Sequence, residues 1–383
     1  MKVVIRTDAS LEIGTGHVMR CLTLAEQLRA RGASTAFVCR ELPGHLCDHI
    51  ESKRYQVHRL PYRQQPPANG EMSSIYSRWL GVNNDEDAFQ TIDVLAKKQL
   101  QPDWLIVDHY ALDARWEKRM RSHVGMIMVI DDLANRRHDA DLLLDQNLYE
   151  NAESRYQRLV PRHCRMFLGP QYALLRPEFE EARQEMPERN GRVKRMLIFF
   201  GGVDNTNETL KALQAIQSVG RPDIAVDVVL GISNAHKALI ETVCCKMPNV
   251  TLHNQVAGMA QLMLQADLAI GGGGTTTWER CCLGLPSLVV AVADNQVAIG
   301  RALGKLGASR YLGTAQDVSV ARLQHEVNRL VSDSETLRAM SRQSLSLVDG
   351  QGTSRVISTL CVISKKGDRN ENTIAWTGSP TNG

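Results

Sequence analysis

The sequence predicts an α/β protein of two parallel-sheet domains joined by a linker. Three observations carry this reading. Short apolar, β-rich runs alternate with helical patterns, as strands buried on both faces of a parallel sheet would. The alternation breaks around 150–195 and then restarts in the same style. The length, 383 residues, suits two domains better than one.

The first half opens on a strand at 2–7. A helix is expected over 17–32, with Val18, Cys21, Leu22, Leu24, Ala25 and Leu28 as its apolar stripe and Gly32 at its end. "STAFVC" (34–39), "DWLIVDH" (103–109) and "MIMVIDD" (126–132) are further strands. After the break come "RMLIFFGG" (195–202), "IAVDVVLG" (224–231), "VTLHNQV" (250–256), "DLAIGGGG" (267–274) and "PSLVVAV" (286–292). The expected divisions are 1–165, a linker over 166–194, 195–365, and a disordered polar tail over 366–383.

Composition is ordinary for a globular chain, 43% hydrophobic and 23% charged with net charge +3. No basic stripe with interleaved aromatics points to nucleic acid. Nine cysteines form no CxxC and no zinc-type spacing. No metal and no cofactor are expected. The first residues run straight into a strand and no apolar run nears the roughly 20 residues of a membrane span. A reduced, cytoplasmic protein without stable membrane insertion is expected; protein partners are not specified.

Three glycine-rich turns stand at predicted strand ends, where open α/β sheets bind ligands. They are Gly14-Thr15-Gly16-His17, Gly201-Gly202-Val203-Asp204, and "GGGGTTTWE" from 271 to 279. The first is not a dinucleotide fingerprint, because Met19 stands where the third glycine would. In the third, Gly272, Gly273 and Gly274 allow close backbone approach, and Thr275 and Thr276 add hydroxyls at a helix start suited to a diphosphate. Glu279 could accept hydrogen bonds from two ribose hydroxyls. One such turn could be simple packing; three, split between two domains, favour a nucleotide in the cleft. Asn295 and Gln296 open a later helix and could reach substrate or merely cap that helix.

His17 follows the first turn directly. The positive end of the helix dipole disfavours a further positive charge there, so a neutral imidazole able to take a proton from water is expected. Asp8, ending the preceding strand, could hold the other ring nitrogen. His109 could be a second polar group in the cleft. Asp139-Ala140-Asp141 matches a metal-binding D-x-D pattern but reads more simply as a solvated loop. No pair of carboxylates suits ordinary glycoside hydrolysis. A nucleoside diphosphate is already a good leaving group, so one base could suffice.

"RTDASLEIGTGHVMRCLTLAEQLRARG" (6–32), "WLGVNNDEDA" (79–88), "VIDDLANRRHDADLLLDQN" (129–147) and "LGPQYALLRPEF" (168–179) resemble the UDP-2,4-diacetamido-2,4,6-trideoxy-β-L-altropyranose hydrolases of pseudaminic acid biosynthesis. "GGGGTTTWE" is shared more widely with GT-B nucleotide-sugar enzymes such as the MurG-type transferases. The loop over 63–77 matches no motif. The resemblance implies a GT-B-like fold, two Rossmann-like domains facing across a cleft. It implies UDP on the second domain and the sugar on the first. It implies metal-independent, inverting hydrolysis with His17 as base and Glu279 as ribose ligand. The sugar side would comprise Asp8, Gly14, Thr15, Gly16, Trp79 and Asp87. The nucleotide side would comprise Gly201, Gly202, Gly272, Gly273, Gly274, Thr275, Thr276, Glu279, Asn295 and Gln296. Two rivals stay open: a GT-B glycosyltransferase with an acceptor other than water, and a non-catalytic nucleotide-sugar-binding module.

Overall fold

A computed structural model of the protein describes residues 1–62, 75–231, 234–254, 256 and 258–374. Positions 63–74 of the unmatched loop and tail positions 375–383 lie outside the described residues.

The first domain alternates strands and helices. β1 (Lys2–Thr7) leads to α1 (Gly16–Ala30), β2 (Ser34–Arg40), α2 (Cys47–Ser52) and β3 (Gln56–Leu60). A 3₁₀ segment (Ile75–Leu80) precedes α3 (Asn84–Lys97), β4 (Trp104–Asp108), α4 (Ala114–Met120), β5 (Met126–Ile130) and β6 (Leu142–Asp145). α5 (Ala152–Tyr156) and β7 (Arg165–Leu168) complete the sheet. Its seven strands run parallel in the order β3-β2-β1-β4-β5-β6-β7.

After α6 (Pro177–Glu185) the second domain repeats the pattern. It contains β8 (Arg195–Phe199), α7 (Glu208–Val219), β9 (Ala225–Leu230), α8 (Lys237–Cys244), β10 (Val250–Asn254) and α9 (Met259–Gln265). β11 (Leu268–Gly272), α10 (Thr276–Cys282), β12 (Ser287–Ala291), α11 (Asn295–Lys305) and β13 (Arg310–Thr314) follow. Its six strands are parallel in the order β10-β9-β8-β11-β12-β13. α12 (Val320–Val331), α13 (Ser334–Leu345) and α14 (Gly352–Ile374) end the chain.

Apolar residues fill both faces of each sheet because successive side chains point to opposite sides. Ile5, Trp104 and Ile106 join one core of the first domain, while Val4, Leu105 and Val107 join the other. Met196 and Ile198 likewise face one core of the second domain and Leu197 the other. Strand order reverses at β1/β4 and again at β8/β11, and each reversal opens a crevice at the strands' carboxyl ends.

The structure departs from the expected divisions in two places. β6 and β7 are four residues each, too short to show periodicity, and β7 makes the first sheet extend past residue 165 into the expected linker. α14, assigned by sequence to the second domain, packs on the first. Val356, Ile357 and Leu360 share a buried cluster with Ile5, Phe37 and Trp104. Ser364 Oγ accepts from Trp104 Nε1 at 2.9 Å. The helix runs on to Ile374, past the expected start of a disordered tail at 366, because a helix nucleated by packing propagates into polar residues.

Leu360→Ala should therefore cost about 2–5 kcal/mol, as buried leucine truncations do. Hydrogen exchange should speed up in β1, β2 and β4. Loosening confined to β8–β13 instead would mean that α14 supports the other domain.

Candidate functional site

A cleft of 780 Å³ lies between the domains, at the carboxyl ends of both sheets. All three glycine-rich turns line it. They also touch. A Cβ on Gly202 would stand 2.4 Å from Thr15 Oγ1, so glycine is what lets the first two turns approach. A Cβ on Gly16 would stand 3.9 Å from Thr275 Oγ1 of the third turn. Beneath the second turn, Gly231 packs so closely that a Cβ there would sit 2.3 Å from the Gly202 Cα.

His17 is the second residue of α1. Its Nδ1 meets Asp108 Oδ1, at the end of β4, at 2.6 Å. Arg20, one turn along α1, donates to the same carboxylate through Nε and Nη2, each at 2.6 Å. Burial opposes ionisation of Asp108, but Arg20 and His17 outweigh it and hold the carboxyl well below its usual range. An ionised Asp108 accepts, so Nδ1 carries the hydrogen. That leaves Nε2 with a lone pair on a residue lining the cleft. Such an imidazole can remove a proton from a bound water.

Aromatic rings surround the histidine. Tyr110 meets it edge-on with ring centroids 4.6 Å apart, and Trp79 at 6.3 Å. Trp79 stacks on Tyr110 at 5.6 Å, and Tyr76 closes the group edge-on to both. Flat apolar faces of this kind suit the C–H faces of a sugar ring.

Two of the expected sugar ligands are not at the cleft. Asp8 is buried behind it, bonded to Arg6 Nη1 at 2.7 Å and to the Arg40 backbone N–H at 2.6 Å. Its expected place beside His17 is taken by Asp108. Asp87 is also buried, paired with Arg6 and Arg40 at 2.7 Å each and accepting from Trp116 Nε1 at 3.0 Å. Burial opposes its charge, but Arg6 and then Arg40 prevail and bring it to about 2. Both aspartates hold the sheet together and neither lines the cleft. His109 is likewise buried, its Nδ1 accepting from the Ala111 N–H, and burial pushes it down to about 4. Asp139 and Asp141 of the D-x-D sequence both bind Arg121.

The remaining expected residues line the cleft: Gly14, Thr15, Gly16, Trp79, Gly201, Gly202, Gly272, Gly273, Gly274, Thr275, Thr276, Glu279, Asn295 and Gln296. In the second turn Asp204 accepts from the Glu208 and Thr209 N–H groups at 2.9 and 3.0 Å, so the start of α7 is already capped. The third turn has no side-chain cap at Thr275. Arg280 supports it from below, donating to the Gly272 carbonyl at 2.7 Å. Gln296 Oε1 accepts from both Gly273 and Val292 N–H at 3.0 Å, which ties the ends of β11 and β12 together. Asn295 Nδ2 donates across the cleft to Tyr110 OH at 3.3 Å. Neither amide caps α11. Glu279 faces Arg176 of the linker at 3.5 Å, and burial raises its carboxyl.

Sequence reasoning passed over Asp108, Arg20, Tyr110, Asp132, Asn147 and Arg176 as site residues. A signal existed for two of them. Arg20 is three residues from His17 on one helix face. Asp108, like Asp8, ends an apolar strand, and pattern alone does not choose between the two.

Residues 196–356 match the model of the glycosyltransferase family 28 C-terminal domain. The chain is 27% identical over 365 residues to the spore coat polysaccharide biosynthesis protein SpsG of Bacillus subtilis, covering 94% of this chain and 98% of that one. It is 27% identical over 307 residues to a UDP-2,4-diacetamido-2,4,6-trideoxy-β-L-altropyranose hydrolase of Campylobacter jejuni, covering 80% of this chain and 97% of that one. Among solved structures it superposes on Acinetobacter baumannii MurG with a TM-score of 0.61 at 14% identity, over 94% of this chain and 99% of that one. Arabidopsis thaliana UGT89C1 complexed with UDP gives 0.63 at 13% identity, with the same coverages. Together these show a GT-B fold, with residues 196–356 similar to the glycosyltransferase family 28 C-terminal domain, in a chain whose resemblance to the altropyranose hydrolases runs along most of its length.

Proposed function

We propose that this protein hydrolyses UDP-2,4-diacetamido-2,4,6-trideoxy-β-L-altropyranose to UDP and the free sugar, a step of pseudaminic acid biosynthesis. The observation that carries the reading is the His17–Asp108 pair, facing three glycine-rich turns in one cleft. The name of the Campylobacter jejuni relative supplies the substrate.

In this reading His17 Nε2 takes a proton from water as the water oxygen attacks the anomeric carbon. The bond from that carbon to the diphosphate oxygen breaks, and UDP leaves with the electron pair. The configuration inverts. Asp108 stabilises the imidazolium that forms and keeps the ring in the productive tautomer. Gly272 and Gly273 let the diphosphate come close to the backbone, and the N–H groups of Gly274 and Thr275, with the Thr276 hydroxyl, receive the growing negative charge. Glu279 accepts from the ribose hydroxyls, and Arg176 neutralises Glu279 from the linker. Gly201 and Gly202 form the facing wall. Gly14, Thr15, Gly16 and Trp79 shape the sugar pocket. The scheme requires no metal.

A GT-B glycosyltransferase with a UDP-sugar donor and a non-water acceptor is the alternative. The cleft continues past His17 along α1 to Glu26, Arg29, Lys53 and Tyr55, room that a water nucleophile does not need. ³¹P and ¹H NMR of the protein with this UDP-sugar, without acceptor or metal, separates the two. UDP release with the inverted anomer appearing first establishes hydrolysis. Binding with release only on adding an acceptor establishes transfer, and binding without turnover under either condition would mean a binding module.

His17→Asn should reduce kcat by at least about 100-fold, the scale of a lost general base. UDP affinity, measured by calorimetry, should stay within about threefold. Loss of UDP binding as well would make His17 structural.

Asp108→Asn should also cost roughly 100-fold in kcat, because an amide N–H facing Nδ1 reverses the tautomer. In the wild type Asp108 stays ionised far below its usual range. Asp108 should therefore add no step of its own to the acid limb of log kcat against pH, which should fall with a slope no greater than one. A slope of two would show that Asp108 is protonated within the working range.

A further inference from the structure

The mechanism uses His17, Asp108 and Arg20 and leaves a second buried polar chain without a role. It begins on α10 of the second domain. Trp278, next to Glu279, donates from Nε1 to Asn147 Oδ1 at 3.1 Å. Asn147 Nδ2 donates to Asp132 Oδ2 at 2.8 Å. Tyr110 OH donates to Asp132 Oδ1 at 2.5 Å. The Tyr110 ring lies edge-on to His17 at 4.6 Å. A second arm reaches the same hydroxyl from α11, through Asn295 Nδ2 at 3.3 Å.

Trp278, Asn147, Asp132, Tyr110 and His17 are all buried. A polar group in such surroundings holds its geometry only while its partners are in place. Two links, Trp278–Asn147 and Asn295–Tyr110, cross between the domains. Both start from helices that also carry the third glycine-rich turn, since α10 follows that turn and Gln296 of α11 grips Gly273. Tyr110 is therefore held from the first domain by Asp132 and from the second by Asn295. Its ring and Trp79 flank the imidazole.

We infer that Tyr110 is a positioning residue for His17 and that the nucleotide-bearing domain sets it, through Trp278–Asn147–Asp132 on one side and Asn295 on the other. The base is fully oriented only when the second domain is seated on the first. The inference rests on the reading of His17 as base, and extends it. It makes docking of the two domains a condition for proton transfer and not only for enclosing the substrate.

The test follows the ring nitrogens of His17 in full-length protein labelled with ¹⁵N-histidine, with His17→Asn used for assignment. UDP alone is the probe. In the wild type UDP should shift the His17 signals. Tyr110→Phe removes one oxygen and Trp278→Phe removes one N–H. Each should at least halve the UDP-induced shift while UDP affinity stays within about twofold. Each should lower kcat about tenfold with KM little changed, the pattern of a misplaced catalytic group. A full UDP-induced shift in both variants, with UDP bound, overturns the inference and leaves the base reading intact. Rapid turnover by His17→Asn would instead overturn the base reading. If Trp278→Phe does not fold, Tyr110→Phe carries the test, and UDP binding reports that it is folded.

Discussion

The Asp108 carboxylate is the charge around which the site is built. An ionised carboxyl inside a protein is costly unless opposite charges and N–H donors surround it. Here it ends a fully buried strand, and its side-chain partners among the described residues all come from α1: Arg20 through two bonds, and His17 and Cys21 through one each. Those bonds fix α1 against β4 in rotation and in height. The same bonds decide which nitrogen of His17 faces the cleft. One electrostatic requirement thus sets the packing of the helix and the tautomer of the candidate base together.

A second charged group lies behind it and serves the sheet. Arg6, Arg40, Asp8 and Asp87 are fully buried and pair with one another, with Trp116 and backbone groups as further partners, while Asp8 Oδ2 and Arg40 Nε have no hydrogen-bond partner among the described residues. Arg6 is on β1, Arg40 on β2 and Asp87 on α3, so the cluster pins a helix to two strands. Removing one member would leave its partners charged and alone, which costs more than the pair contributes. The two clusters lie next to each other, at neighbouring strand ends. One is sealed from the cleft and the other opens onto it, and that difference separates an aspartate that only holds the sheet from one that orients the proposed base.

The domains meet through small residues and shared polar groups. Gly202 admits Thr15, backed within the second domain by Gly231, and Gly352 packs where a Cβ would fall 2.4 Å from the Ala173 carbonyl. Around these close approaches run the links Trp278–Asn147, Asn295–Tyr110 and Arg176–Glu279. The chain passes from the first domain to the second through α6 and returns by α14. Such a double crossing ties the seating of one sheet on the other to both ends of the second domain.

Much of this was legible in the sequence. Apolar runs with glycine-rich ends announced parallel strands, and their restart after residue 195 announced a second domain. The glycines marked where backbone would approach a ligand, and the place of His17 after Gly16 marked its exposure to a helix start. These are local properties, set by residues a few positions apart. What escaped was set by residues far apart. His17 and Asp108 are 91 positions apart, Tyr110 and Asn295 are 185, and Asn147 and Trp278 are 131. Asp8 and Asp108 end neighbouring strands with similar sequence contexts, and Arg6 claimed one while Arg20 claimed the other. Periodicity records which face a residue is on, but not which charge will stand opposite it. The chain by itself determined two parallel sheets, three turns and a candidate base. Only tertiary structure decided which carboxylate orients that base and which helix returns to cover the first sheet, because pairing in a low-dielectric interior depends on positions that only the folded sheet brings within about 3 Å.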